Sequence, residues 1–281
     1  MIDLHTHSSC SDGTDTPFAL VKKALSAGVT TLGLTDHDST AGWDEAITAV
    51  APQIELALGA EISCLTSDGI SVHMLGLLFD GEHKEMQQML EDSRDTRIPR
   101  MRKMIELLRA DGINITFEDV QRATPAGATL GRPHLADALA VNGVVKSRDE
   151  AFVDLLHNDS KYYVTHAAPT PEDAISMIRR AGGVAVIAHP FASRRGEILD
   201  VSSFAGLVKA GLNGIEVAHR DQSPDEQRTL IAIATDLNLV ITGASDYHGT
   251  GKLNSIAENT THPAQWEALE SLANARRVIR K

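Results

Sequence analysis

The stretch that decides the fold is IDLHTHSSCSD, residues 2–12. Ile2, Asp3 and Leu4 open a strand that runs out into His5 and His7. Residues two apart in a strand face the same side of the sheet, so both imidazoles can serve one ion. Asp12 returns toward them from the Ser-rich loop. Taken alone, an H-x-H pair is as often ordinary polar decoration as a ligand pair, because imidazole is common on surfaces and in cores. Recurrence of the pattern downstream decides between the two.

The pattern does recur. The apolar strand Val29 to Leu34 ends in Thr35-Asp36-His37-Asp38, and Ile54 to Leu58 is followed by Glu61 at or just past its end. Ile70 to Leu77 carries His73 within it, Val184 to Ala188 ends in His189-Pro190, and Gly214 to Val217 leads to His219. Leu239 to Thr242 is a last strand, running into Ser245-Asp246-Tyr247-His248. Capped helical patterns separate the strands: Thr16-Pro17 and Thr170-Pro171 each read as an N-cap followed by Pro at the first helical position. Alternation of strand and helix implies βαβ units and a mainly parallel sheet. Seven strands are one short of the eight-fold barrel, so the expected fold is α/β, a distorted (β/α)7 barrel. In such barrels the carboxyl ends of the strands carry the active site.

Between about Gly81 and Val164 strand signals vanish and helical patterns follow one another, at Glu82 to Ala110, Phe117 to Ala123, Arg132 to Val141 and Arg148 to His157. The expected division is a barrel from residues 1–81 and 165–281 with a helical, substrate-capping insertion at 82–164. The chain of 281 residues is 42% hydrophobic, enough for a substantial core, and has no apolar run of membrane-spanning length. No charged-then-apolar leader is visible, so a cytoplasmic location is expected. Cys10 and Cys64 lie in no C-x-x-C, which argues against a disulfide framework or a thiolate zinc site. A formal charge of −12 argues against long duplex nucleic acid as a partner, and no membrane partner is expected.

Six histidines, one glutamate and two aspartates therefore converge on one rim: His5, His7, Asp12, His37, Glu61, His73, His189, Asp246 and His248. Neutral imidazoles and carboxylates suit Zn, Mn or Fe. Nine ligands exceed the needs of one tetrahedral ion, so two or three divalent metals are implied, with a carboxylate such as Glu61 bridging. Closely spaced metals activate water and stabilise both oxygens of a phosphoryl transfer.

With H-T-H-S and Asp12, T-D-H-D at 35–38, G-A-E-I at 59–62, the isolated His73, A-H-P at 188–190 and S-D-Y-H at 245–248, the chain resembles the polymerase and histidinol phosphatase (PHP) superfamily. The resemblance implies the PHP-type barrel and three metals. His5, His7, Glu61 and Asp246 would hold one, Glu61, His73 and His189 a second, and Asp12, His37 and His248 a third. Within the insertion, L-G-R-P-H-L-A at 130–136 resembles the bacterial branch acting on nucleoside 3′,5′-bisphosphates and on 5′ ends of short RNAs. That branch implies Mn²⁺, with Zn²⁺ or Fe²⁺ as alternatives, and hydrolysis of the 3′-phosphate to leave a 5′-nucleotide. The expected nucleophile is a metal-bound hydroxide attacking phosphorus, and the expected partner is a small phosphorylated substrate, a nucleotide or short oligonucleotide.

For the substrate, Arg132 at a helix start suits a phosphate bidentately. His134 is expected to assist it or to cap local structure. One of Arg194 and Arg195 is expected to face the anion, Lys161 is a weaker candidate, and His219 is read as facing substrate or a ligand, with Glu216 orienting it. Asp36 and Asp38 are read as supporting His37. Tyr162, Tyr163 and Phe191 could stack a base but suit a core better. His83, His157, His166 and His262 are read as ordinary histidines. Within the superfamily the alternative is a histidinol-phosphate phosphatase. An amidohydrolase is disfavoured because Glu61 stands where a metal-bridging Lys would be expected, and a non-enzymatic metal-binding regulatory module because no ligand has been lost.

Overall fold

The computed structural model describes residues 1–165 and 167–281, so His166, read above as ordinary, lies outside the described residues. Seven strands form one sheet in sequence order: β1 (Ile2–Thr6), β2 (Thr31–Leu34), β3 (Glu55–Leu65), β4 (Ser71–Leu77), β5 (Val184–Ala188), β6 (Gly214–Ala218) and β7 (Val240–Gly243). A parallel bridge from Thr6 to Tyr247 brings the last strand's exit back to the first, so the sheet curls into a distorted seven-stranded barrel. Helices α1 (Pro17–Ser26) and α2 (Trp43–Thr48) cover the first strands. Later come α7 (Pro171–Arg180), α8 (Ser203–Ala210), α9 (Pro224–Asp236) and α10 (Pro263–Ser271). The caps behave as the sequence suggests: Thr16 and Thr170 accept from the N3 amides Ala19 and Asp173, and Pro follows each at N1.

Two features depart from the alternating plan. β3 does not stop at Leu58 but continues to Leu65, so Glu61 sits inside a strand rather than at its end. β4 then returns antiparallel to β3 and is antiparallel to β5 as well. A hairpin turned at Gly69, whose φ is +92°, needs no crossover helix, so the chain reverses directly. The reversal explains why His73, the third residue of its strand, still reaches the rim: it pairs with Ser63 on one side and Ala188 on the other, next to His189.

β1 contains a second irregularity. Ile2 pairs with Thr31 and Asp3 with Leu32, yet Thr6 pairs with Leu34, so the register slips by one residue in between. Such a bulge re-aims the side chains beyond it. Ile2 and Leu4 join the cluster of Ala57, Leu75, Val184 and Val186 that fills the barrel's lower interior, closed from below by Trp266 and Leu269 of α10. Because of the slip, His5 and His7 stand above that same interior. Apolar packing at one end of the barrel thus leaves the polar residues gathered at the other.

Between β4 and α7 the chain forms α3 (Lys84–Ala110), α4 (Phe117–Ala123), α5 (Arg132–Val141) and α6 (Arg148–Asp154), with their own core of Met104, Leu108, Val120, Leu135 and Leu139. α3 runs unbroken through Pro99. Its Arg97, 8% exposed, is one tie to the barrel. The guanidinium pairs with Asp38 and donates to Ser63 Oγ at 2.8 Å and the Leu130 carbonyl at 3.1 Å. Among the described residues no helix is long and apolar enough to cross a membrane.

Candidate metal centre and its cavity

All nine rim residues meet in one place. Glu61, 1% exposed, is their hub. One of its oxygens lies 3.3, 3.1 and 3.1 Å from nitrogens of His5, His7 and His37. The other lies 2.7 and 3.2 Å from His73 and His189. Asp12 adds His248 at 3.2 Å, His7 at 3.6 Å and His37 at 3.8 Å, while Asp246 Oδ1 lies 3.4–3.5 Å from His5, His7 and His248. Three groups have ligand atoms close enough to share an ion: His7, Asp12, His37 and His248; His5, His7 and Glu61; and His37, Glu61 and His73. His189 and Asp246 adjoin these through Glu61 and through His5 and His7.

The loop after β1 is built to return Asp12. Ser8 donates through its amide (2.8 Å) and hydroxyl (2.6 Å) to Asp36, and Ser11 Oγ donates to the same carboxylate at 2.6 Å. A Cβ on Gly13 would collide with the His7 carbonyl, so the turn admits only glycine. Two candidate ligand residues, His189 and Asp246, hold φ at +30° and +52°, a left-handed backbone that costs a non-glycine residue about 1–3 kcal/mol and tends to gather at functional sites.

The electrostatics call for cations. Burial would raise the carboxyls of Glu61, Asp12 and Asp246, but the surrounding imidazoles, with Lys252 at Asp246, hold all three well below the carboxylate range. Burial likewise opposes protonation of His7, yet hydrogen bonds to Asp246 and Glu61 lift it to about 9. Asp12 Oδ1, His37 Nδ1, His73 Nδ1 and His248 Nε2 are buried and lie 2.7–3.2 Å from a carboxylate oxygen or imidazole nitrogen, yet none of them is aligned for a hydrogen bond, which a polar atom seldom tolerates. Orphaned acceptors aimed at ionised carboxylates fit divalent ions between them.

Supporting contacts partly differ from expectation. Glu216 does not orient His219; it accepts from His5 Nδ1 at 3.1 Å and from the His189 amide at 3.1 Å. That contact leaves His5 Nε2 free toward Glu61. His219 Nδ1 instead accepts from the Asp221 amide at 3.0 Å, with Nε2 3.4 Å from Asp246. Asp36 and Asp38, read as supporting His37, instead accept from Ser8 and Ser11 and from Arg97 and the Ser63 amide, respectively.

Above the centre opens a cavity of about 660 Å³, floored by Asp12, His37, Glu61, His73, His189 and Asp246 and walled by both barrel and insertion. Arg132, Arg194 and Arg195 line it. Arg132 is braced by the Leu156 carbonyl (2.9 Å) and Asn158 Oδ1 (2.6 Å) and stacks on Phe152 and Tyr163. Arg195 bridges Asp221 and Asp246, whereas Arg194 is largely exposed. His134, Lys161 and His219 are not among the lining residues. His134 is buried and accepts from the Gly131 amide, closing a capping turn, and Lys161 is an exposed partner of Asp111. Tyr162 and Phe191 are core residues.

The cavity also holds Arg148, Asn158, Arg220 and Lys252, which sequence reasoning passed over, and His157, which it read as ordinary. Arg148 binds Asp137 and donates to the Asp12 carbonyl at 3.1 Å. Lys252 Nζ is 2.9 Å from Asp246 Oδ2. Lys252 follows His248 by four residues, and that proximity was the available signal. Nothing local marks Arg148, which reaches the site only through the packing of α6.

Comparison with known proteins agrees with this architecture. The PHP domain model matches residues 3–114. A 3′,5′-nucleoside bisphosphate phosphatase of Chromobacterium violaceum is 34% identical, the match covering 89% of this chain and 88% of the relative. A 5′-3′ exoribonuclease of Haemophilus influenzae is 33% identical over 88% of this chain and 89% of its own. A solved structure from Bifidobacterium adolescentis, assigned as a metal-dependent phosphoesterase, superposes with a TM-score of 0.92 at 37% identity, covering 97% of this chain and 96% of that one.

Proposed function

The chain belongs to the PHP domain family of metal-dependent phosphoesterases, and from that premise we propose that it removes the 3′-phosphate of nucleoside 3′,5′-bisphosphates to leave 5′-nucleotides, with the 5′ ends of short RNAs as further substrates. One observation carries the reading: nine His, Asp and Glu side chains converge, and six of them floor a cavity whose walls carry arginines and a lysine. Acidic ligands gather metal ions at the floor, and cationic walls suit a second phosphate. Two free cysteines fit the reducing cytoplasm, where we place the activity.

His5, His7, Glu61 and Asp246 would hold one ion, Glu61, His73 and His189 a second, and Asp12, His37 and His248 a third, with Mn²⁺ the expected metal. Such ions supply positive charge toward phosphoryl oxygens and acidify water. The remaining work falls to the protein's own side chains. Arg132 presents a guanidinium pre-oriented by Asn158 and Tyr163, so little side-chain entropy is lost when it takes a phosphate. Arg195 and Lys252 both rest on Asp246 Oδ2 at 2.9 Å, where they can neutralise the non-reacting phosphate. Residues 82–164 act as the cap, because Arg132, Arg148 and Phe152 close the cavity from that side.

The deciding experiment strips the protein with a chelator and measures phosphate release on reloading. Activity is expected to vanish, to return with Mn²⁺, and to favour adenosine 3′,5′-bisphosphate over histidinol phosphate and simple monoesters. Full turnover without metal, or preference for histidinol phosphate, overturns the proposal. A second expectation concerns Glu216: its replacement by Ala frees the His5 ring and should weaken metal affinity by about 10–100-fold. Calorimetric titration with Mn²⁺ reads this directly, and an unchanged affinity would mean that Glu216 does not set His5.

A further inference from the structure

Val153 and Leu253 are 71% and 75% exposed, yet both line the cavity over the candidate metal centre. On α6 Val153 lines the cavity together with Asp149 and Phe152, whereas Leu253 belongs to the barrel, directly after Lys252. The two walls approach closely two residues before Leu253, where a Cβ on Gly251 would collide with the Arg148 guanidinium at the start of α6. The Leu253 backbone is also held in place. Its carbonyl accepts from Arg220 Nη2 at 3.2 Å, and Arg220 is itself clamped by both oxygens of Glu258 at 2.7 Å. A pinned backbone presenting an unpacked aliphatic side chain at the lip of a charged cavity differs from scattered surface hydrophobicity.

We propose that Val153 and Leu253 form an aliphatic clamp that grips the nucleobase of the substrate, one side chain from the insertion and one from the barrel. The inference rests on the nucleoside bisphosphate reading above and names what selects the base-bearing part. The occupant follows from the chemistry of the lining. Cationic groups and metal ligands at the floor account for the phosphates. What remains of a nucleoside bisphosphate is a ribose and a flat ring with two apolar faces, and the only unpacked aliphatic side chains along the described cavity wall are these two. Apolar contact with a ring face does not read its hydrogen-bonding edge, so the clamp prefers a base over none but discriminates little among bases.

The test compares adenosine 3′,5′-bisphosphate with its abasic counterpart, 1-deoxyribose 3,5-bisphosphate, in the Mn²⁺-loaded full-length protein. The readout is the ratio of the two kcat/KM values, which does not depend on how much of a preparation is active. The wild type is expected to favour the nucleotide at least tenfold, and Leu253→Ser and Val153→Ser are each expected to lower that ratio several-fold, the double variant bringing it near one. A wild-type ratio near one, or variants that keep the wild-type ratio whatever their absolute rates, overturns the clamp while leaving the phosphatase reading intact. Failure of the wild type to hydrolyse either bisphosphate overturns the phosphatase reading, and the clamp falls with it.

Discussion

Glu61→Gln is expected to lower kcat/KM for phosphate release by three orders of magnitude or more, about 4 kcal/mol of transition-state stabilisation. The variant keeps the shape of the side chain and removes its charge. Glu61 lies within 3.3 Å of five imidazole rings, those of His5, His7, His37, His73 and His189, and both its oxygens are engaged. A neutral amide offers a single acceptor where two ionised oxygens serve two sides of the centre. It also turns an NH₂ donor toward nitrogens whose lone pairs point inward. The bound-metal content, read by elemental analysis, should fall together with activity while circular dichroism stays that of the wild type. Near-normal turnover with a full metal complement would remove Glu61 from the centre of the mechanism.

Arg97→Met is expected to cost about 3–5 kcal/mol of stability, the range for breaking a buried ion pair by removing one partner. Asp38 is fully buried, and its carboxylate would be left with the Ser63 amide but no counter-charge. The Ser63 hydroxyl and the Leu130 carbonyl would lose their donor at the same time. Urea unfolding should show the loss, and Arg97→Met combined with Asp38→Asn should recover part of it, since the uncompensated charge is then gone. A single-variant cost below about 1 kcal/mol would show that water reaches Asp38 and that the pair is not effectively buried. Because Arg97 lies on α3 and Asp38 flanks His37, the same pair ties the helical insertion to the loop of a candidate ligand.

Local signals carried much of the reading. Apolar runs ending in His, Asp or Glu mark the strands and their rim, because a parallel barrel buries both faces of its strands and leaves polar residues only at the ends. Thr16-Pro17 and Thr170-Pro171 mark helix starts, because a hydroxyl cap and a fixed φ act within one turn. What escaped depends on pairing across the chain. The expectation placed Glu61 at a strand end, but β3 continues to Leu65, since the hairpin to β4 offers its backbone a partner that no local pattern announces. Glu216 was assigned to His219, its near neighbour in sequence, yet it serves His5, 211 residues away.

The sequence by itself singled out the nine ligand-type side chains and the strands on or beside which they lie, from residue type and hydrophobic period. Only the tertiary structure decided how they face one another. The register slip in β1 turns His5 and His7 over the barrel interior, and the reversal of β4 brings His73 beside His189. The packing of α5 and α6 delivers Arg132, Arg148 and Val153 to the cavity wall. The physical reason is one of range. Hydrophobic period and capping are set by neighbours within a turn or a strand, whereas register and the docking of the cap are set by backbone pairing and buried charge between residues tens to hundreds of positions apart.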